Sequence, residues 1–105
     1  MDFEITPQEL KNSLDNGEDI FILDVRGQDE FAIVNLNGYL IPLSELEKRL
    51  GELDSKKHIV VHCHHGIRSA KATQFLLSQG FQKVQNLAGG IERWAMEIDP
   101  QMKKY

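Results

Sequence analysis

A single cysteine in 105 residues leaves no partner for an internal disulfide and no second thiol to resolve a mixed one. A disulfide scaffold is therefore excluded and a thiol–disulfide oxidoreductase disfavoured. Basic residues are also few: 12 Lys and Arg stand against 16 Asp and Glu, scattered along the chain, for a formal net charge of -4. Without a basic stripe, neither nucleic acid nor an anionic membrane surface is an expected partner. No apolar run approaches the length of a membrane span, and the acidic start Met1-Asp2-Phe3-Glu4 lacks the basic and then apolar pattern of a secretory leader. The cytoplasm is the expected location, where a lone thiol is readily kept reduced. There is no repeat, low-complexity tract or linker, so one domain is expected over residues 1–105.

Short strands alternate with helices along this chain. Ile20-Phe21-Ile22-Leu23 and Ile59-Val60-Val61 are continuous apolar runs rich in β-branched and aromatic residues, as in strands buried on both faces of a parallel sheet. Tyr39 to Ile41 and Lys83 to Asn86 are weaker strand candidates. Thr6-Pro7-Gln8-Glu9 supplies a helix N-cap, a proline in the first turn and early acidic residues, with Leu10 and Leu14 on one face and Gly17 as the stop. Further helices fit Gln28 to Val34, Ser44 to Leu50, Ser69 to Gln79 and Gly90 to Glu97. The expected fold is α/β: a central, mostly parallel sheet of about five short strands with helices on both faces. In such sheets ligands bind beyond the carboxyl ends of the strands. Chemistry is thus expected at Asp24-Val25-Arg26 and at Cys63-His64-His65-Gly66-Ile67-Arg68-Ser69.

Free cysteine is usually buried and inert, but the neighbours of Cys63 argue otherwise. It follows a buried strand and precedes a helix whose Ala72, Phe75 and Leu76 face the core, so its thiol is expected above a helix N-terminus. Unpaired amides there carry about half a positive charge and favour the thiolate. Gly66 lets successive N–H groups turn inward as an anion nest, and Arg68 adds a permanent charge with a fork of donors.

The stretch Val61-His62-Cys63-His64-His65-Gly66-Ile67-Arg68-Ser69-Ala70 resembles the active-site loop of rhodaneses, or thiosulfate sulfurtransferases: cysteine, two residues, glycine, one residue, arginine, then serine or threonine. Other segments resemble the family in order, namely Ile22-Leu23-Asp24-Val25-Arg26 with Glu30-Phe31, Ile41-Pro42-Leu43, and Asn86-Leu87-Ala88-Gly89-Gly90-Ile91 with Trp94. Val34-Asn35-Leu36 departs from the Gly-His-Ile found in many members, and the segment to Ile41 is slightly shortened. The tail from Trp94 to Tyr105 looks closest to rhodanese domains fused behind the adenylating enzymes of molybdopterin and thiamine biosynthesis.

The resemblance implies a sulfurtransferase that carries sulfur as a persulfide on Cys63, with His64, His65, Gly66, Ile67, Arg68 and Ser69 forming the substrate-binding loop. The implied partners are a small anionic sulfur donor and, as acceptor, an external protein thiol or sulfur carrier. No metal or organic cofactor is expected.

Related phosphatases and arsenate reductases usually place five residues between cysteine and arginine, whereas this chain has His64, His65, Gly66 and Ile67. A shorter ring suits one sulfur atom better than a tetrahedral phosphate. Catalytically silent rhodanese-like modules commonly lack the cysteine. A metal site on His62, Cys63, His64 and His65 is disfavoured because adjacent residues on an extended chain diverge, and His58 lies roughly 13 Å back along its strand. Asp24 reads foremost as a carboxylate capping the turn after its strand. Arg26 is open between a contact to anionic substrates and a solvated charge. Trp94, Phe31 and Phe75 read as core.

Overall fold

Five strands, every neighbouring pair parallel, form one sheet in the order β1-β5-β4-β2-β3. They are β1 (Glu4–Ile5), β2 (Ile20–Asp24), β3 (Tyr39–Leu40), β4 (His58–His62) and β5 (Lys83–Leu87). Four helices, α1 (Pro7–Asp15), α2 (Gln28–Ile33), α3 (Ile67–Ser78) and α4 (Gly90–Glu97), complete the domain. The computed structural model describes residues 3–105, so Met1 and Asp2 of the acidic start lie outside the described residues.

Alternation along the central strands divides the core in two. Leu23, Ile59, Val61 and Val84 face one side, where Ala72 and Leu76 of α3 close over them with Phe75 packed alongside. Val60 and Leu87 face the other, against Leu10 of α1 and Trp94 of α4. Each fully buried leucine here corresponds to about 2–5 kcal/mol on truncation to alanine. Because Cys63 continues the Ile59, Val61 parity, it emerges on the α3 side, while Asp24 and His62 are register partners pointing to the α1 and α4 side. The alternation thereby separates the thiol from the histidine that precedes it.

Helix α1 begins as expected, with Thr6 Oγ1 accepting from the Glu9 amide and Glu9 accepting from the Thr6 amide. Three details differ from expectation. Ser44 to Leu50 is not an α-helix: two 3-10 turns, Leu43–Glu45 and Leu50–Glu52, follow Pro42, and a spacing of three residues suffices to bring Leu43 and Leu46 onto the sheet. Leu14 sits at the margin of its face, 38% exposed where Leu10 is 1%. Helix α3 starts at Ile67, two residues before the expected Ser69, which draws its first turn up to the cysteine.

Candidate active site

The sulfur of Cys63 lies inside the turn that joins β4 to α3. The Gly66 amide donates to Sγ at 3.1 Å, the Ser69 amide at 3.4 Å, and the Ser69 hydroxyl lies 3.3 Å away. Gly66 makes this possible, since its φ of +106° is open to glycine and strained for other residues. Burial pushes the Cys63 thiol up; the Ser69 hydroxyl pulls it down when its proton turns to the sulfur, and the amides of Ser69, Gly66 and His65 pull it down as well. With the hydroxyl so turned, the thiol is held below its ordinary value.

A second helix fixes the outer wall of the loop. The first amides of α4 donate back to it, Ile91 to the Cys63 carbonyl at 2.9 Å and Glu92 to the His64 carbonyl at 3.1 Å. This approach explains Gly90, because a Cβ there would stand 2.4 Å from the His64 oxygen.

Arg68 points out of the loop toward α2. Its two terminal nitrogens donate to the two carboxylate oxygens of Glu30 at 2.6 and 2.8 Å, a fork-to-fork pair. Arg68 above all holds the Glu30 carboxyl down to about 2, against the effect of partial burial and with further help from the Gly27 amide and the Tyr105 hydroxyl. The pair ties the loop to α2. The guanidinium also lines an open groove of about 450 Å³, shared with Gly27, Pro42 and Ser44.

The turn after β2 is differently used. Arg26 is fully buried, which overturns both expectations for it, a substrate contact and a solvated charge. Its Nε and one terminal nitrogen hold Asp24 at 3.0 and 2.7 Å, and its remaining donors go to the carbonyls of Val34 and Glu30 and to the Tyr105 hydroxyl. All five N–H groups of the guanidinium are thereby used. Asp24 does cap its turn, accepting from the Arg26 amide at 3.0 Å, and is in addition the buried counter-ion.

The histidines part company. His62 is buried on the far face with Nε2 3.5 Å from Asp24, and burial pushes its pKa down against the pull of that carboxylate. His58 pairs with Gln85 at 2.7 Å. Contrary to the expected divergence of adjacent side chains, the rings of His64 and His65 stack at 3.9 Å, and Glu92 brings a third potential ligand atom within 4.8 Å of theirs. The two ring planes are 26° apart. Tyr105 stacks on His64 at 4.0 Å. Ile67 is 72% exposed at the rim, and Ser69 is buried beneath the sulfur.

Glu30, Asn86, Glu92 and Tyr105 belong to the site although no role in it was expected of them from the sequence. Glu30, Asn86 and Tyr105 gave a signal, by falling within family-like segments.

The comparisons with known proteins agree with this geometry. Residues 6–97 match the model of the rhodanese-like domain. The "Probable adenylyltransferase/sulfurtransferase MoeZ" of Mycobacterium tuberculosis is 38% identical over 104 residues, covering 96% of this chain but 26% of MoeZ. The thiosulfate sulfurtransferase GlpE of Coxiella burnetii is 38% identical over 77 residues, 72% of each protein. A rhodanese-like domain protein of Staphylococcus aureus superposes with a TM-score of 0.83 at 30% identity, covering 100% of this chain and 99% of that one. No helix among the described residues is long and apolar enough to cross a membrane. A family match over most of the chain, a parallel sheet of the same build and a cysteine cradled by amides lead to one conclusion: the chain belongs to the rhodanese-like domain family, which includes sulfurtransferases.

Proposed function

We propose that this protein is a sulfurtransferase that moves sulfane sulfur through a persulfide on Cys63. The observation that carries this reading is the cradle around Sγ, with amides at 3.1 and 3.4 Å in a ring of four residues between Cys63 and Arg68. The Cys63 thiolate attacks the outer sulfur of an anionic donor such as thiosulfate. A new S–S bond forms to Cys63, the bond to the inner sulfur breaks, and sulfite leaves with its electron pair. The persulfide's terminal sulfur then bears the negative charge, and the loop amides at the head of α3 stabilise it. A second nucleophile attacks that terminal sulfur and releases the Cys63 thiolate. The chain has no second thiol, so the acceptor comes from outside. In an assay it is cyanide; in the cell it is a protein thiol or a sulfur carrier, in keeping with the pairing of adenylyltransferase and sulfurtransferase in the name of MoeZ.

Steady-state kinetics with thiosulfate and cyanide test the reading. The expected result is thiocyanate release with parallel double-reciprocal lines, the ping-pong pattern, and its complete loss in a folded Cys63→Ser variant. Hydrolysis of an aryl phosphate or reduction of arsenate without sulfur transfer points instead to the phosphatase-like alternative. A folded protein with neither activity is a binding module.

A further inference from the structure

The Ser69 hydroxyl stands between two acceptors and has one proton to give. Its Oγ is 3.3 Å from the Cys63 sulfur on one side and 2.5 Å from Asn86 Oδ1 on the other. Asn86 is 4% exposed and lies on β5, in register with Val61 of β4 and Glu4 of β1. Chemistry fixes which way its amide faces. Nδ2 donates to the Gly66 carbonyl at 3.2 Å and to the Glu4 carboxylate at 3.3 Å, groups that only accept. The amide oxygen is therefore the atom toward Ser69.

Two oxygens this close need a proton between them, and an amide oxygen has none to offer. The proton is that of Ser69. Its Oγ thus presents lone pairs to Cys63: it accepts from the neutral S–H and cannot donate to a thiolate without releasing Asn86. The anion is stabilised by the amides of Gly66, Ser69 and His65, while the hydroxyl sides with the thiol. Turning the hydroxyl to the sulfur would leave Asn86 Oδ1 buried without a partner, which carries its own cost.

We propose that Asn86 is a positioning residue that holds the Ser69 proton away from Cys63 and so sets the pH at which the sulfur becomes a nucleophile. The proposal deepens the reading of Cys63 as the sulfur-carrying group and rests on it. The same amide also ties the Gly66 carbonyl, so one side chain governs both the direction of the hydroxyl and the glycine whose N–H faces the sulfur.

The charged and titratable groups around this cluster are Arg68 of α3 with Glu30 of α2, His64 with Glu92 of α4, His65 stacked on His64, Tyr105 over His64, and Glu4 of β1. His62, Asp24 and Arg26 lie on the opposite face of the sheet. An Asn86→Ala substitution leaves all of them in the chain and removes only the acceptor for Ser69 and the two amide donors.

The test is the pH dependence of iodoacetamide alkylation, which reports Cys63 alone because the chain has no other cysteine. It needs no sulfur donor, so it is independent of whether sulfur transfer itself is observed. With Asn86→Ala the freed hydroxyl turns to the thiolate, and the midpoint is expected to fall by about one pH unit, the tenfold effect of one hydrogen bond to a charged group. With Asn86→Asp, which retains an acceptor opposite Ser69 and keeps the shape, the midpoint is expected to rise. In a Ser69→Ala background the effect of Asn86→Ala is expected to vanish, while the added charge of Asp still acts. A midpoint that rises or stays unchanged in Asn86→Ala overturns the proposal, as does an undiminished shift without the Ser69 hydroxyl. If Asn86→Ala does not fold, Ser69→Ala by itself decides: with the hydroxyl proton held by Asn86, its removal leaves the midpoint unchanged or lower, and a rise overturns the proposal.

Discussion

The turns after β2 and β4 leave the same edge of the sheet on neighbouring strands, and each combines an anionic group with an arginine, to opposite ends. After β2 the anion is Asp24, a permanent part of the chain, and Arg26 encloses it with every donor engaged and no surface left to water. After β4 the anion is a sulfur whose charge depends on its proton, and backbone amides surround it while the arginine turns outward to Glu30. The first turn is complete without a ligand and serves the fold. The second holds a group that can gain or lose its charge, and its guanidinium pair, with Arg68 39% exposed in its side chain, ties the loop to α2 from outside.

The comparison is broken most forcefully at Arg26. Arg26→Met leaves Asp24 buried without a counter-ion and is expected to lower unfolding free energy by about 3–5 kcal/mol in a denaturant titration, whereas Arg26→Met with Asp24→Leu recovers most of the loss. A mild effect of the single change would mean that the first turn is not a closed ion pair. Next in size is one glycine inserted after Gly66. Widening the ring carries the donors away from the sulfur, and losing one such contact costs roughly 3 kcal/mol of transition-state stabilisation, read as a matching loss of thiocyanate formation. Undiminished transfer would show that ring size is not what suits the loop to sulfur.

The Glu30 and Arg68 pair sharpens the contrast at a smaller scale. Glu30→Gln and Arg68→Gln are each expected to slow sulfur transfer on the order of tenfold through displacement of the loop, with the double variant no slower than either single one. Additive losses would assign Arg68 a separate contact with the donor. Smallest is the pH effect of the same pair on stability. The folded Glu30 value of about 2 lies below the ordinary 4.5. The stabilisation is therefore fully present above pH 4.5 and is lost as pH falls toward 2. For a pair this exposed it amounts to less than about 1 kcal/mol. Denaturant midpoints measured down this range should decline less steeply in Glu30→Gln than in the unsubstituted protein.

Local signals in the sequence sufficed for the elements that carry the site. The apolar runs at Ile20 and Ile59 are buried strands, the Thr6 cap starts α1, and α4 spans Gly90–Glu97 as its spacing suggests. The position of Cys63 at a helix head follows from that strand and helix order. What escaped the sequence depends on contacts across the chain. β1 is two residues long, too short to show an alternation, and exists because Asn86 and Ala88 donate to Phe3 and Ile5. The burial of Arg26 follows from Val34, Glu30 and Tyr105 closing around it, and nothing in Asp24-Val25-Arg26 distinguishes an inward guanidinium from a solvated one. Glu30 meets Arg68 across 38 residues. The stacking of His64 on Tyr105 likewise needs the last helix in place.

The function proposed for Cys63 requires it to take up sulfur, and intact-mass measurement after incubation with thiosulfate tests this most directly. The protein is expected to gain the mass of one sulfur atom, lost again on adding cyanide or a thiol, with the gain absent in folded Cys63→Ser. A folded protein that gains no sulfur, or one whose Cys63→Ser variant gains as much, would contradict it.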